Sequence, residues 1–276
     1  MPGKDMAAGG KGYGVAGAIA YHMVRLGLKL SRLPLAGALI NRFASRKRLK
    51  VVTIPVDAAI NRNPSVLPFD AAKRLIEASS YIAATDVCMC REAHGCQEYP
   101  VGLGCLFLGR GARNMSLHGR VHSISKDEAL AHIERARSLG LVSNVIWSRA
   151  ELRALGADPV TTVELCSCCP CCCLAFKTKD ASRAFLDGIT GLGVAKVVAP
   201  DECTRCTNCV PACPFGAIRI DMRDGPLIDT GRCKGCGRCE SACKPRALKI
   251  FPVEPARGAM PLPGAMYIEE FLEMVR

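Results

Sequence analysis

Cys203-Thr204-Arg205-Cys206-Thr207-Asn208-Cys209-Val210-Pro211-Ala212-Cys213-Pro214 and Cys233-Lys234-Gly235-Cys236-Gly237-Arg238-Cys239-Glu240-Ser241-Ala242-Cys243 write one cysteine spacing twice. The agreement extends past the thiols: Ala212, Ala217, Ile218 and Ile220 recur as Ala242, Ala247, Leu248 and Ile250. Self-similarity at a fixed offset marks a duplicated structural unit. Paired cysteines also build zinc sites, but a zinc ribbon separates two pairs by a long spacer. Three evenly stepped cysteines followed by a fourth and a proline are a different pattern.

These runs resemble the bacterial-type two-cluster ferredoxin domain, over roughly Val194 to Pro252, about a fifth of the chain. The resemblance implies a dicluster ferredoxin fold, two 4Fe-4S clusters and crossed ligation. In that arrangement Cys203, Cys206, Cys209 and Cys243 hold one cluster, and Cys233, Cys236, Cys239 and Cys213 hold the other. The chain departs from the family at Arg205 and Asn208, where small residues are usual, and at Lys244, which separates Cys243 from Pro245. No ligand is lost, but charge and hydrogen bonding near sulfur are altered, and these set potential.

A chain of 276 residues is long enough for one to three domains, so the first two thirds hold something else. Eighteen cysteines in a secreted protein would suggest disulfides. Cluster thiols need reducing surroundings, and no convincing export signal is read at the start, so a cytoplasmic location is expected, with an anaerobic host. The formal charge of +12 is concentrated: residues 1–50 contain ten Lys or Arg and one acid, Asp5. Within this basic arm Val15, Ile19, Met23, Leu26 and Leu30 recur at helical spacing, interleaved with Arg25, Lys29 and Arg32. Pro34 should break the helix, and Leu35 to Phe43 should begin another. No stretch reaches the roughly 18 uncharged apolar residues of a spanning helix. Two readings stay open for residues 12–50. The helix lies on an anionic membrane surface at the inner face or clasps an acidic partner; alternatively, its apolar side packs on the protein. Nucleic acid is not expected, because aromatics are only 5% of the chain.

Residues 51–193 read as a cysteine-rich alpha plus beta domain. Val51 to Val56 suggests a strand, and Asp70 reads as the N-cap of a helix through Ser80 that shows Leu75, Ile76 and Ser79 on one side. Ser125-Lys126-Asp127-Glu128 is a capping box. Leu130, Ile133, Ala136 and Leu139 make that helix's face, Gly140 ends it, and Leu141 to Trp147 should be a strand. Asp180 and Gly188 bracket one more short helix. The expected class is α+β: an arm (1–50), a cysteine-rich α/β region (51–193), the ferredoxin unit (194–252) and a C-terminal tail with a short helix (253–276).

Ten further cysteines fall in two groups. The first is Cys88, Cys90, Cys96 and Cys105, with Arg91 and His94 among them, a set that either an iron-sulfur cluster or zinc accepts. A third iron-sulfur cluster is the expectation, with Arg91 and His94 offering N–H groups to sulfur. The second is Cys166, Cys168, Cys169, Cys171, Cys172 and Cys173, six thiols in eight positions. Alternate residues of a strand face opposite ways, so a straight segment cannot bring all six to one cubane, and Pro170 should make a turn. Disulfides and core filling explain such density poorly. Three divisions stay open: two cubanes, one shared cubane, or a non-cubane cluster with bridging thiolates. The doublets Cys168-Cys169 and Cys172-Cys173 are similar to the paired cysteines of heterodisulfide-reductase-type CCG domains, but Pro170 and Leu174 stand where that motif has Gly. The whole arrangement resembles little-characterised multi-cluster ferredoxin-type proteins of anaerobes.

The expected function is relay of single electrons through two ferredoxin clusters and one or more additional clusters to redox partner proteins. The alternatives are an iron-sulfur oxidoreductase whose Cys166 to Cys173 site binds substrate, and a ferredoxin on a structural zinc module. No acid, base and nucleophile constellation is evident, so no catalytic residue is assigned. His118, His122 and His132 sit in no motif, and Gly188 to Gly193 lacks a dinucleotide fingerprint.

Overall fold

The computed structural model describes residues 12–42, 49–54, 68–115, 121–177, 180–253 and 263–276. Strands β1 (Leu49–Ile54), β2 (Ile82–Thr85), β3 (Leu106–Leu108), β4 (Val121–Ser123), β5 (Val142–Ser148), β6 (Val163–Cys168) and β7 (Ile189–Gly191) form one seven-stranded sheet. Their lateral order is β4-β2-β3-β6-β5-β1-β7, antiparallel throughout except for β1 with β7. The helices are α1 (Gly14–Leu30), α2 (Pro34–Asn41), α3 (Pro68–Ala78), α4 (Met89–His94), α5 (Lys126–Ser138), α6 (Arg149–Ala154), α7 (Leu174–Lys177) and α8 (Arg183–Asp187). Beyond them come the ferredoxin-type unit, with α9 (Cys209–Ala212) and α10 (Arg238–Ala242), and a last helix, α11 (Pro263–Val275), so the class is α+β.

Because strand residues alternate, the sheet has two different faces. Val52 and Ile54 of β1, Val145 and Trp147 of β5, and Val163 and Leu165 of β6 enter one apolar core. Helices α3, α5 and α11 cover it with Leu75, Ile76, Ile133, Phe271, Leu272 and Val275. From the same strands Val51, Val142, Cys166 and Cys168 enter a second core with Cys173, Phe176, Leu186, Phe215 and Cys236. The cysteine chemistry therefore sits on the face away from the main core.

Several local expectations hold. The Ser125 side chain accepts from the Glu128 N–H and Glu128 reaches back to the Ser125 N–H, closing the capping box, and Gly140 takes φ 69° just past the helix. The buried positions of α5 are Ala129, Ile133 and Ala136, whereas Leu130 and Leu139 are half-buried, so the face is rotated toward Ala129. Asp70 lies inside the first turn of α3, which starts at Pro68; proline at an early position needs no N–H partner and moves the start upstream. Of the strand expected over Val51 to Val56, Pro55 and Val56 lie outside the described residues, as does Phe43 of the second helix.

Two segments differ in role from their sequence reading. Residues 263–276 are no tail: Phe271 and Val275 are fully buried, and the Val275 carbonyl accepts from the Ser80 N–H at 2.9 Å. In the arm, Gly17, Tyr21 and Leu28 form the buried face of α1, which packs on α4 and α7. Val15, Ile19, Met23 and Leu26, the stripe picked out by periodicity, are 78%, 56%, 67% and 56% exposed. Periodicity finds an apolar side but cannot say that the fold uses it. The packed side of α1 is chosen by small and aromatic residues that fit against α4.

The ferredoxin-type unit continues directly from β7. Strand β8 (Gly193–Val197) pairs antiparallel with β11 (Leu248–Pro252), and β9 (Ile218–Asp221) with β10 (Gly225–Ile228). Helices α9 and α10 occupy matching places in the two halves. Phe271→Ala should lower the stability of the protein by about 3–5 kcal/mol in anaerobic denaturant titration, since a fully buried ring is removed from between α3 and the sheet.

Candidate functional site

In the C-terminal unit the duplicated spacing produces duplicated backbone geometry. Arg205 (φ 55°) and Thr207 (φ 62°) match Gly235 (φ 59°) and Gly237 (φ 87°), while Gly216 (φ 59°) matches Arg246 (φ 58°). Left-handed residues between the cysteines turn the loop tightly enough for three thiols to face one centre. Glycine does so freely, whereas Thr207 is β-branched and strained. The thiols acting on Cys209 are Cys243, Cys206 and Cys203, and those acting on Cys239 are Cys236, Cys233 and Cys213. Each run's last cysteine thus lies with the other run's first three. The Ala217 N–H points at Cys213 Sγ (3.3 Å) and the Ala195 N–H at Cys233 Sγ (3.4 Å). Burial pushes the Cys236 thiol up to about 12, so a thiolate there would need compensating positive charge or N–H donors. Cys206 is exposed and Cys236 and Cys239 are buried, so the two halves differ in access to solvent.

Upstream, the structure mixes the two cysteine groups. Strand β6 ends at Cys168, and a turn at Pro170–Cys172 redirects the chain. It delivers Cys169, Cys171 and Cys172 to Cys96, and the four sulfurs lie within 4.8 Å of one another. Cys96 Sγ is 3.6 Å from Cys171 Sγ, and Cys172 Sγ is 3.4 Å from Cys171 Sγ. Four thiols without a carboxylate or imidazole are a soft donor set that suits a 4Fe-4S cluster, or zinc. Burial raises Cys171 to about 12, while the N–H groups of Glu98 and Tyr99 and neighbouring thiols outweigh burial at Cys96 and lower it.

The other six thiols form a continuous string. Cys88 neighbours Cys105, Cys105 Sγ is 3.1 Å from Cys166 Sγ, and Cys166 neighbours Cys168. Cys173 Sγ is 3.0 Å from Cys168 Sγ and also meets Cys90. Glu164, on the same face of β6, accepts from Cys166 Sγ at 2.9 Å. Thiols donating to one another split the string: Cys105 lowers Cys88, and Cys166 lowers Cys168, each to about 6.

Arg91 is the fully buried cation of the region. Its guanidinium donates to the Ser167 carbonyl (2.8 Å) and to the Leu103 carbonyl, and its charge acts on Cys88 and Cys105 of the string and on Cys169 of the four-thiol set. Its two terminal nitrogens thus bind main chain rather than sulfur, contrary to expectation, one at the end of β6 and one in the loop before β3. His94 is exposed, and its ring centroid lies 6.3 Å from that of Tyr21. His122 pairs with Asp86 (2.8 Å), and His132 meets the Gly104 carbonyl (3.1 Å); His118 lies outside the described residues. The sequence reading missed Glu164, Asn144 and Tyr21. For Glu164 a signal existed, since it stands two residues before Cys166 and must share its face. The fully buried Tyr21 donates its hydroxyl to the Cys172 carbonyl at 2.8 Å, so α1 covers the thiols.

Residues 202–248 match the family model of the 4Fe-4S dicluster domain. The chain is 40% identical over 50 residues to the pyruvate synthase subunit PorD of Methanothermobacter marburgensis, covering 18% of this chain and 57% of that protein. It is 30% identical over 111 residues to the arsenate respiratory reductase iron-sulfur subunit ArrB of Shewanella sp., 36% of this chain and 46% of that one. The dihydromethanopterin reductase (acceptor) of Methanosarcina mazei is 40% identical over 55 residues, 19% and 23% of the two chains. The chain therefore spans about half the length of PorD and ArrB. The C-terminal unit is a 4Fe-4S domain of the dicluster type. Among the described residues no helix is long and apolar enough to cross a membrane.

Thr207→Gly should be neutral or stabilising by up to about 1 kcal/mol, relief of left-handed strain being partly offset by the freer unfolded glycine. Gly235→Ala should destabilise by more than about 2 kcal/mol, because its Cβ would stand 2.1 Å from the Gly193 backbone. Denaturation of the cluster-loaded variants under anaerobic conditions compares the two.

Proposed function

We propose that this chain is an iron-sulfur electron-transfer subunit that passes single electrons between a redox partner protein and centres buried behind its ferredoxin unit. One observation carries the reading. Cys236 of the second run shares an apolar core with Cys166, Cys168 and Cys173, and Phe215 stacks edge-on against Phe176, ring centroids 5.4 Å apart. The ferredoxin unit is thus built onto the upstream thiols rather than tethered to them.

In this reading Cys203, Cys206, Cys209 and Cys243 hold the outer 4Fe-4S cluster, and Cys233, Cys236, Cys239 and Cys213 the inner one. Cys96, Cys169, Cys171 and Cys172 hold a further cluster. Each centre, when bound, stores and releases one electron. The chain's own residues set the direction. The outer thiols are the more exposed and face a partner, while burial around Cys236 and Cys239 excludes water from the inner step. The N–H groups of Ala217 and Ala195 favour the reduced, more negative state at the inner thiols Cys213 and Cys233. The relatives PorD and ArrB are subunits by name, which supports an oxidoreductase as partner. The units 1–50, 51–193 and 194–252 are proposed as its working parts, with α1 acting as roof of the second and the helix of the segment 253–276 completing the second's core.

The exposed stripe of α1, with Arg25, Lys29 and Arg32 close by, supports peripheral docking on an anionic surface, a membrane or an acidic partner, through residues 12–50. Ile19→Glu with Met23→Glu should abolish sedimentation with anionic liposomes and leave iron content unchanged. If the wild type does not sediment, the membrane form of this reading fails. Removing the whole arm would uncover the thiols beneath Tyr21 and would not be a clean test.

Anaerobically purified protein should contain about twelve iron or more, matching sulfide and no zinc. About eight iron with one zinc would replace the upstream relay with a structural zinc site. Cys213→Ala should damage the inner cluster's EPR signal and spare the outer one; loss of the outer signal alone would overturn the crossed assignment.

A further inference from the structure

Six thiols are more than a single cubane uses, and the six outside the four-thiol set cannot be divided into two complete sets of four. Cys88, Cys105 and Cys166 gather at one end of the string, Cys168, Cys173 and Cys90 at the other, and the ends meet where Cys166 neighbours Cys168. A carboxylate stands at the first end. Glu164 is 6% exposed, and Cys105, Glu164 and Cys166 have ligand atoms within 4.8 Å of one another. Among the described residues no Lys or Arg pairs with Glu164. A buried carboxylate without a cation is costly unless it is neutral or meets a metal.

A second, independent feature lies where the two ends meet, opposite Cys166 across the β5–β6 pairing. Asn144 is fully buried on β5 and accepts from Thr53 Oγ1 at 2.8 Å through Oδ1. Its Nδ2 has no partner among the described residues, although the side chain adjoins Cys168. A buried amide donor left without a partner beside a thiol is the arrangement expected where sulfur of a bound centre would accept from it. The Arg91 Nε is likewise without a partner, in a side chain whose charge acts on Cys88, Cys169, Cys105 and Cys168.

We propose that Cys88, Cys90, Cys105, Cys166, Cys168 and Cys173 together hold one extended iron-sulfur centre with more iron than a single cubane, and that Glu164 is an oxygen ligand to one of its irons. The inference rests on the iron-sulfur reading of the chain but not on the four-thiol cluster. A six-thiolate set joined at Cys166 and Cys168 suits two linked iron units. An oxygen donor at one end makes that iron harder than its neighbours and more easily exchanged. The ligand class the site would take is thus an iron-sulfur assembly with one distinct, oxygen-ligated iron, lying between the sheet and the roof formed by α1.

The test is iron and sulfide content of the full-length, anaerobically purified chain, with EPR of the reduced samples. The wild type should exceed the roughly twelve iron that two ferredoxin clusters and one cubane account for. Cys105→Ser with Cys168→Ser should bring iron down to about twelve while the ferredoxin signals, the internal check on folding, persist. Cys96→Ser with Cys171→Ser should instead remove about four iron and keep the excess. About twelve iron in the wild type would overturn the extended centre and leave the electron-relay reading standing; about eight would overturn both upstream sites. Glu164→Gln should keep the iron but change the EPR spectrum of this centre alone, and an unchanged spectrum would overturn the carboxylate ligand.

Discussion

Alternation along β6 is the constraint on which the rest of the structure depends. Val163 and Leu165 point one way, into an apolar core closed by α3, α5 and α11; Glu164, Cys166 and Cys168 point the other. Each residue step of an extended strand reverses the side chain, so a stable hydrophobic face and a thiol-bearing face are two sides of one element. The first core holds the strand in place, and its rigidity positions the second. The turn after Cys168 then divides the remaining thiols of the segment. Cys169, Cys171 and Cys172 go to Cys96, and Cys173 returns to Cys168.

On the thiol face, nearly everything nearby is a cover. Helix α1 closes it from one side, with the Tyr21 hydroxyl bonded to the Cys172 carbonyl, and the ferredoxin unit closes it from another through Phe215 and Cys236. The join is close enough that a Cβ on Gly191 would meet the Lys234 backbone at 2.4 Å, and the Arg238 side chain donates to the Gly140 carbonyl at 2.7 Å. Arg91 lies beneath, its single positive charge set among thiols of both upstream sets. Sulfur that becomes thiolate in such a place needs positive charge and N–H donors from its surroundings, and these are what α4, β5 and the main chain supply.

The outer surface of α1 shows how one helix serves two environments. Its packed side is narrow, built on Gly17, Tyr21 and Leu28, and the wider apolar stripe is left in solvent beside cationic side chains. That division agrees with the concentration of positive charge in residues 1–50.

Much of the local structure was legible without coordinates. The duplicated cysteine runs, the capping box at Ser125, the Gly140 stop and the strand before Trp147 are short-range signals, each satisfied by residues a few positions apart. The helix of the C-terminal segment was read, but not its place in the main core, which depends on the distant partners Leu75 and Ile76. The ten upstream cysteines were also legible as two dense groups of thiol donors. Their grouping was not: Cys96 parts from Cys88, Cys90 and Cys105 to join three thiols more than seventy positions away, and Arg91 turns to carbonyls instead of sulfur. Sequence determined which donors are present and which strand alternation they obey, because those follow from residue identity and backbone geometry. Only the tertiary structure decided which donors meet, because that depends on the lateral order of the strands and on a single turn after β6.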